Sequence, residues 1–188
     1  MSDPADLIIG SLKGRAAIVC GSAPGVFDEC QTAARTLTDL RVDAITYFAV
    51  SDVGMFLPQV HHWTSGRAAE FPTWLAVRQH RFRDRQLFKV HAYGRGLRPV
   101  PDCVDYLWAP RPGVGDSGLF GALTACFMGA EPVVLCGMPM QGGKFFEGTP
   151  YLGQHYPQLD FDLRCFPSEF TPKVRSMSGR TREYFGSL

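Results

Sequence analysis

The sequence lacks a long hydrophobic run and a clear excess of charge of either sign. Its 188 residues include 19 Lys and Arg against 18 Asp and Glu, which gives a formal net charge of +1. No segment approaches the ~20 consecutive apolar residues of a membrane-spanning helix. A nearly neutral chain also gives no electrostatic case for non-specific binding to nucleic acid. We therefore expect neither a membrane span nor a nucleic-acid partner.

The cysteines lack any C-x-x-C pair, which argues against a zinc ribbon or a redox pair of that spacing. Scattered cysteines beside apolar runs are typical of buried thiols in a reducing compartment. The N-terminus begins with acidic residues and has too short an apolar stretch for a signal peptide. The sequence therefore predicts a cytoplasmic protein with free thiols at Cys20, Cys30, Cys103, Cys126, Cys136 and Cys165.

Apolar runs alternate with helical patterns along the chain. Residues 16–20 are apolar without alternation, as in a buried strand, and residues 26–40 follow with apolar side chains at helical spacing. Residues 43–50 and 133–136 predict two further strands. Strands that alternate with helices predict one α/β domain over residues 1–188. We expect a Rossmann-like domain whose mostly parallel sheet has helices on both faces.

Other segments carry different patterns. Residues 60–67 show no period and are predicted to be irregular, whereas residues 71–83 predict a helix entered through Pro72. The basic run 78–85 predicts one exposed helix face. Residues 138–160 combine glycine, proline and aromatics without a period, which is typical of a C-terminal lid-like segment.

Two glycine-bearing turns connect apolar runs to helices. Such a turn leaves backbone N–H groups aimed outward at a helix N-terminus, and two of them at the carboxyl ends of strands predict a nucleotide-sized ligand. Asp52, in the turn after the second strand, is a further predicted contact. Asp116 or Ser117 would also cap its helix, which is compatible with a phosphate or ribose contact. The turn residues are Gly21, Ser22, Ala23, Pro24, Gly25, Asp116, Ser117 and Gly118.

The lid-like segment and the tail supply further candidates. His155 would act as a general base because imidazole titrates near neutral pH; the alternative is an exposed loop histidine. Tyr151 and Tyr156 would contact a phosphate or stack on a ring, or else anchor the loop. Arg180 would hold phosphate beside a helix capped by Ser178, unless the tail is a solvated basic segment.

Two motifs are explained without a metal or a hydrolase. His61 and His62 are adjacent and would point in different directions, so we expect packing around Trp63 and Trp74 in place of a shared metal. The G-D-S-G run at 115–118 does not fit the G-x-S-x-G pattern of a hydrolase elbow. No metal site is predicted, and Mg²⁺ would be needed only for phosphoryl or pyrophosphoryl transfer.

The turns and the segments after them resemble a known superfamily over residues 21–25, 117–129 and 133–140. These residues are similar to the bacterial lipooligosaccharide sialyltransferases, the MAF flagellin-glycosylation proteins and the archaeal MptE-like hydroxymethylpterin pyrophosphokinases. The resemblance implies a Rossmann-type fold and a catalytic histidine after a tyrosine-containing lid, a place that His155 would take. It implies nucleotide contacts at Gly21, Ser22, Ser117 and Gly118.

Residues 63–78, the helix that begins at Ser117 and Gly118, and residues 175–181 also resemble small phage and prophage proteins of no assigned activity. That likeness implies an origin in a phage-infected or lysogenic bacterial host. The sequence then leaves several functions open: a glycosyltransferase-like enzyme that uses a nucleotide-activated donor, a pyrophosphokinase-like enzyme, or a non-catalytic phage module that binds a nucleotide or a nucleotide-derived signal. An adaptor without a small-molecule ligand is a further alternative. The expected partner is a nucleotide or nucleotide-sugar, and a homo-oligomer stays open.

Overall fold

A computed structural model describes residues 8–83, 88–94, 99–109, 115–141, 143–144, 150–151 and 161–188. Seven strands form one parallel sheet, which confirms the α/β Rossmann-like fold. The strands of this sheet are β1 (Ala16–Cys20), β2 (Ile45–Val50), β3 (His62–Ser65), β4 (Lys89–Tyr93), β5 (Tyr106–Trp108), β6 (Val133–Cys136) and β9 (Val174–Ser176). Within the predicted lid-like segment, β7 (Gly143–Lys144) and β8 (Pro150–Tyr151) form an antiparallel pair.

Helices pack against both faces of the sheet, and four of them have both ends among the described residues. They are α1 (Val26–Asp39), α2 (Phe71–Phe82), α3 (Ser117–Phe127) and α4 (Gly179–Phe185). Apolar side chains of α1 and α2 bury against one face, and those of α3 and α4 against the other. The sheet therefore lies between two cores, as the alternation of apolar patterns predicts.

The strand order is β5-β4-β3-β2-β1-β6-β9. The chain runs outward from β1 to β5 and then returns to place β6 on the other side of β1. Strand order thus reverses between β1 and β6, and in open α/β sheets ligands bind at such a reversal, beyond the carboxyl ends of the strands. Both glycine-bearing turns lie at this edge of the sheet, which we call the carboxyl edge.

Helix α3 lies close to the sheet because its inner face carries small residues. A side chain at Gly121 would come within 2.9 Å of Thr64 Oγ1 and 3.1 Å of Val19 Cγ1. From Gly118 to Cys126 every residue of the helix is buried. This close approach holds the N-terminus of α3 against the carboxyl ends of β1, β2 and β3.

Three sequence expectations are wrong. Residues 60–67 are not irregular throughout, because β3 lies within them; its polar His62 and Thr64 hid the apolar pattern. Arg78 is not on an exposed helix face, since only 2% of it is accessible and its Nη1 donates to the carbonyls of Gly54 and Leu57 at 2.6 and 2.7 Å. Ser178 precedes α4 without a capping hydrogen bond from its side chain. In the part of the chain that is described, no helix has the length and apolar character to cross a membrane.

Candidate functional site

The carboxyl edge brings most of the predicted nucleotide contacts together. The Ser22 hydroxyl, after β1, donates to Asp52 Oδ1, after β2, at 2.6 Å. The backbone N–H of Gly66, after β3, donates to Ser117 Oγ, at the start of α3, at 3.1 Å. Hydrogen bonds therefore connect segments that lie far apart in the sequence into one surface.

Gly21 is required by packing. Its N–H donates to the Cys136 carbonyl at 2.8 Å, which continues the pairing of β1 with β6. A β-carbon at Gly21 would overlap Met138 Cγ and lie 2.6 Å from the Gly137 carbonyl oxygen. The backbone of this turn thus approaches β6 too closely for any side chain at this position.

Gly25 is required by backbone conformation instead. It precedes α1 with a φ of 83°, and nothing lies within 4 Å of a β-carbon built there. As a glycine, Gly25 supplies no side-chain cap to α1. The turn itself satisfies the first amide of the helix, since the Val26 N–H donates to the Ala23 carbonyl at 3.2 Å. A ligand group would approach this exposed end of α1 through the positive end of the helix dipole.

Acidic side chains in the first turn of α1 limit how much negative charge it can accept. Asp28 is exposed, and Glu29 Oε2 accepts the Gly137 N–H at 2.7 Å. Glu29 is therefore directed toward the end of β6. A ligand with few phosphate charges fits this end of α1 better than a triphosphate alone.

Asp52 is held by an unusual backbone. Ser51 has a φ of 54°, a left-handed conformation that is uncommon for a non-glycine residue. The Trp63 indole N–H donates to the Ser51 carbonyl at 2.5 Å, and the hydroxyls of Ser51 and Ser65 lie 3.1 Å apart. This buried support places Asp52 beside Ser22, the position at which Rossmann-type sheets carry an acidic residue for a ribose.

Asp116, and not Ser117, is the residue that caps α3 in the second turn. Asp116 Oδ1 accepts the N–H groups of Gly118 and Leu119 at 2.7 and 3.0 Å. Burial raises the pKa of Asp116, against the opposing effect of these two hydrogen bonds. The carboxylate thus already occupies the amides at the start of α3, so this turn offers its Ser117 hydroxyl more readily than its backbone.

Met138 lies between the two turns. A β-carbon at Gly118 would overlap Met138 Cε, while one at Gly21 would overlap Cγ of the same side chain. Met138 is 6% exposed. The two turns are thus packed along one thioether side chain and do not jointly enclose a single phosphate.

A tyrosine and two carboxyl groups adjoin the second turn. The Tyr93 hydroxyl donates to the Gly115 carbonyl, and burial, followed by the charges of Asp116 and Asp162, raises the pKa of Tyr93 to about 12. Asp162 is buried, and a β-carbon at Gly115 would lie 3.4 Å from its Oδ2. Sequence reasoning missed both Tyr93, which ends β4, and Asp162, because each reaches the second turn only through the fold.

Arg180 also reaches the carboxyl edge through its backbone. Its N–H donates to the Pro139 carbonyl at 2.8 Å, and Thr181 Oγ1 donates to the Met138 carbonyl at 2.6 Å. The start of α4 therefore packs on the segment after β6. Arg175, by contrast, is engaged locally: its Nη1 donates to the carbonyls of Pro172 and Val174.

The remaining predicted residues cannot be placed in the site. His155 and Tyr156 lie outside the described residues, and only the backbone of Tyr151, in β8, is described. A role for His155 as a general base therefore stays a prediction from the sequence.

The adjacent histidines point to different partners, as expected. His61 Nδ1 accepts the Tyr47 N–H at 2.9 Å, whereas His62 Nδ1 lies 2.9 Å from His91 Nε2. Trp63 stacks on Trp74 with a centroid distance of 6.2 Å, which confirms the predicted aromatic packing. Within the described ranges, no group of three or more His, Cys, Asp or Glu side chains could hold a metal ion.

Comparison with known proteins gives no match: no protein-family model, no curated protein and no solved structure is significantly similar to the chain.

Proposed function

We propose that this protein binds a ribonucleotide at the carboxyl edge, between the ends of β1 and β2. The observation that carries the proposal is the Ser22–Asp52 hydrogen bond of 2.6 Å beside the exposed start of α1 at Gly25. A ribose-binding carboxylate and an open helix N-terminus are the two parts that a Rossmann-type nucleotide site requires.

Asp52 is positioned to bind the ribose hydroxyls. It follows β2, which pairs in parallel with β1 so that Ala49 lies opposite Cys20. Ser22 donates to one carboxylate oxygen, which leaves acceptor capacity on both oxygens for a diol. Such hydrogen bonds are charge-assisted and therefore stronger than those between neutral groups.

The phosphate would lie at the start of α1, beside Gly25. The exposed Pro24 and Gly25 leave this end of the helix open to solvent. Asp28 and Glu29 lower its capacity for negative charge, which favours a monophosphate or a nucleotide-sugar. A di- or triphosphate would bring Mg²⁺ to offset its charge. Arg180, whose backbone N–H donates to the Pro139 carbonyl after β6, would offer its side chain to the phosphate.

Transfer from a nucleotide-activated donor would build on this binding site. In that case His155 acts as the general base, and the bound nucleotide is the leaving group of the donor. A pyrophosphokinase-like reaction would use the same edge with Mg²⁺. The residues that would make the binding contacts are described, whereas His155 is not, so binding is the function that we put forward first.

Isothermal titration calorimetry with CMP, UMP, AMP and GMP tests the proposal. We expect at least one nucleotide to bind the wild-type protein. Asp52→Asn keeps an acceptor for Ser22 but removes the charge, and we expect it to weaken binding about tenfold or more, since a hydrogen bond to a charged group contributes about 1.5–3 kcal/mol.

Asp43→Asn is the matched control, because Asp43 is exposed at the opposite, amino end of β2. It should leave the dissociation constant unchanged. If none of the four nucleotides bound, or if Asp52→Asn bound as tightly as the wild type, the proposal would be wrong.

A further inference from the structure

Three thiols meet directly beneath the first turn. Cys20 ends β1 and Cys136 ends β6, and the two residues lie side by side as partners in the parallel ladder. Cys30 projects from α1, and its sulfur lies 3.0 Å from the sulfur of Cys20. Cys20 and Cys136 are fully buried, whereas Cys30 retains 9% exposure.

We propose that Cys20 and Cys30 form a reversible disulfide when the protein is exposed to hydrogen peroxide. This thiol cluster would then be a site of oxidative modification. The two sulfurs are already in contact across the turn. Closing the bond to about 2.05 Å requires them to approach by about 1 Å, within the range of small side-chain rotations.

Cys30 is the residue that reacts first. Hydrogen bonds from Cys136 and then Cys20 lower its pKa to about 5, while burial opposes them. The pKa of Cys20 is correspondingly raised, first by its hydrogen bond with Cys30 and then by burial. The thiolate is the nucleophilic form of cysteine, and the residual exposure of Cys30 admits an oxidant as small as hydrogen peroxide.

The reaction balances with hydrogen peroxide as the oxidant. The Cys30 thiolate attacks one peroxide oxygen, the O–O bond breaks, and the leaving hydroxide takes up a proton to give water and a sulfenic acid. The Cys20 sulfur then attacks Cys30, the S–O bond breaks, and the departing hydroxide leaves with the Cys20 proton as a second water. Two thiols are oxidised to one disulfide, and one peroxide is reduced to two waters.

The other cysteines lack this arrangement. Cys126 is buried in α3, and burial raises its pKa to about 12. Cys103 is only partly buried, and burial raises its pKa as well. Among the described residues, the sulfur–sulfur contact is therefore particular to the cluster beneath the first turn. The disulfide would close a loop that contains Gly21 to Gly25.

Intact-mass spectrometry after alkylation tests the proposal and does not depend on nucleotide binding. The reduced native protein is treated with hydrogen peroxide, quenched with catalase, denatured and alkylated with iodoacetamide. We expect the number of alkylated cysteines to fall by two from six. Dithiothreitol should restore all of them. Digestion with trypsin and Glu-C, which cleaves after Glu29, should yield peptides 16–29 and 30–35 joined by a disulfide.

Cys30→Ser should abolish the loss of alkylation, and Cys126→Ser should leave it unchanged. The proposal is wrong if the wild-type protein keeps all its thiols under conditions that oxidise free cysteine. It is also wrong if Cys30 is overoxidised without a link to Cys20, or if the disulfide joins other cysteines. The decisive measurement is made on the wild-type protein, so the test remains valid even if a variant does not fold.

Discussion

Two glycines of the same turn are needed for different physical reasons. Gly21 lies against the Gly137 carbonyl and Met138, so any side chain there overlaps its neighbours. Gly25 adopts a left-handed conformation with open space around it. Glycine is favoured there because other residues pay a conformational energy for a positive φ, not because a side chain would collide with a neighbour. The sequence shows both as glycine in one motif, and only the packing separates an architectural glycine from one at the open end of α1.

Substitutions at these glycines should therefore rank in a fixed order. We expect Gly21→Ala to lower the free energy of unfolding by about 2–3 kcal/mol, because a β-carbon overpacks a site bounded by backbone. Gly25→Ala should cost about 1 kcal/mol, since the left-handed penalty is partly offset by a less flexible unfolded chain. Gly25→Asn should cost less than Gly25→Ala, because asparagine tolerates this conformation.

Urea denaturation monitored by circular dichroism measures all three variants. A smaller cost for Gly21→Ala than for Gly25→Ala would contradict this ranking. It would mean that Met138 and the backbone of Gly137 move aside readily.

At the scale of elements, β3 and β4 are joined by a pair of neutral imidazoles. The Trp108 indole N–H donates to His91 Nδ1 at 3.2 Å, so His91 carries its proton on Nε2 and donates it to His62 Nδ1 at 2.9 Å. Burial lowers the pKa of His91 well below its ordinary value of 6.5. Burial also lowers the pKa of His62, to about 4. Both rings therefore stay neutral in the folded protein at mildly acidic pH.

The protein should lose stability as the pH falls below about 6.5. In the unfolded chain these histidines take up protons near that pH, whereas in the folded protein they do not until lower pH. Each pH unit in this window then costs about 1.4 kcal/mol for a fully buried histidine such as His91. The loss should continue toward the lowered pKa values, near pH 4 for His62.

His62→Asn tests this source of pH dependence, because the amide oxygen can accept the His91 proton but the side chain does not titrate. Burial also lowers the pKa of His61, so we expect the decrease in unfolding free energy between pH 7 and pH 5 to shrink by about a third to a half relative to the wild type. His80→Asn, on an exposed position of α2, should retain the full decrease. An equal decrease in the wild type and His62→Asn would exclude the histidine pair as the cause.

The sequence pattern predicted the strands that are buried on both faces and the helix that has one continuous apolar face. β1 and β6 are buried on both faces and read as continuous apolar runs, and α1 has one apolar face. β3 was missed because its His62 side chain is satisfied by His91, a partner 29 residues away. β9, with only three residues at the edge of the sheet, carries too little pattern to predict.

The candidate site was predictable only in part for a similar reason. The turn at 21–25 and Asp52 could be inferred because each follows an apolar strand, and parallel strands end at a common edge. The positions of Met138, Tyr93 and Asp162 depend on contacts between distant segments. Glycine patterns also suggested that both turns offer free amides, whereas the Asp116 carboxylate already binds those of α3.

At the scale of the whole molecule, the order of the strands brings the segments of the carboxyl edge together. Because the chain returns to β6 after building β2 to β5 on the other side of β1, the turns after β1 and β6 become neighbours. Glu29 binds the Gly137 N–H across this reversal, over a separation of 108 residues. The central claim is that the assembled edge is a ribonucleotide site in which Asp52 contacts the ribose.

The most direct test is an NMR titration of ¹⁵N-labelled protein with the nucleotide, among CMP, UMP, AMP and GMP, that calorimetry finds to bind most tightly. We predict that the amide signals that shift will cluster at Ser22, Gly25, Asp28 and Asp52, while those of Asp43 and Glu131 at the amino edge stay in place. Shifts confined to the amino edge, or a saturated complex in which Asp52 and the start of α1 do not respond, would contradict the claim.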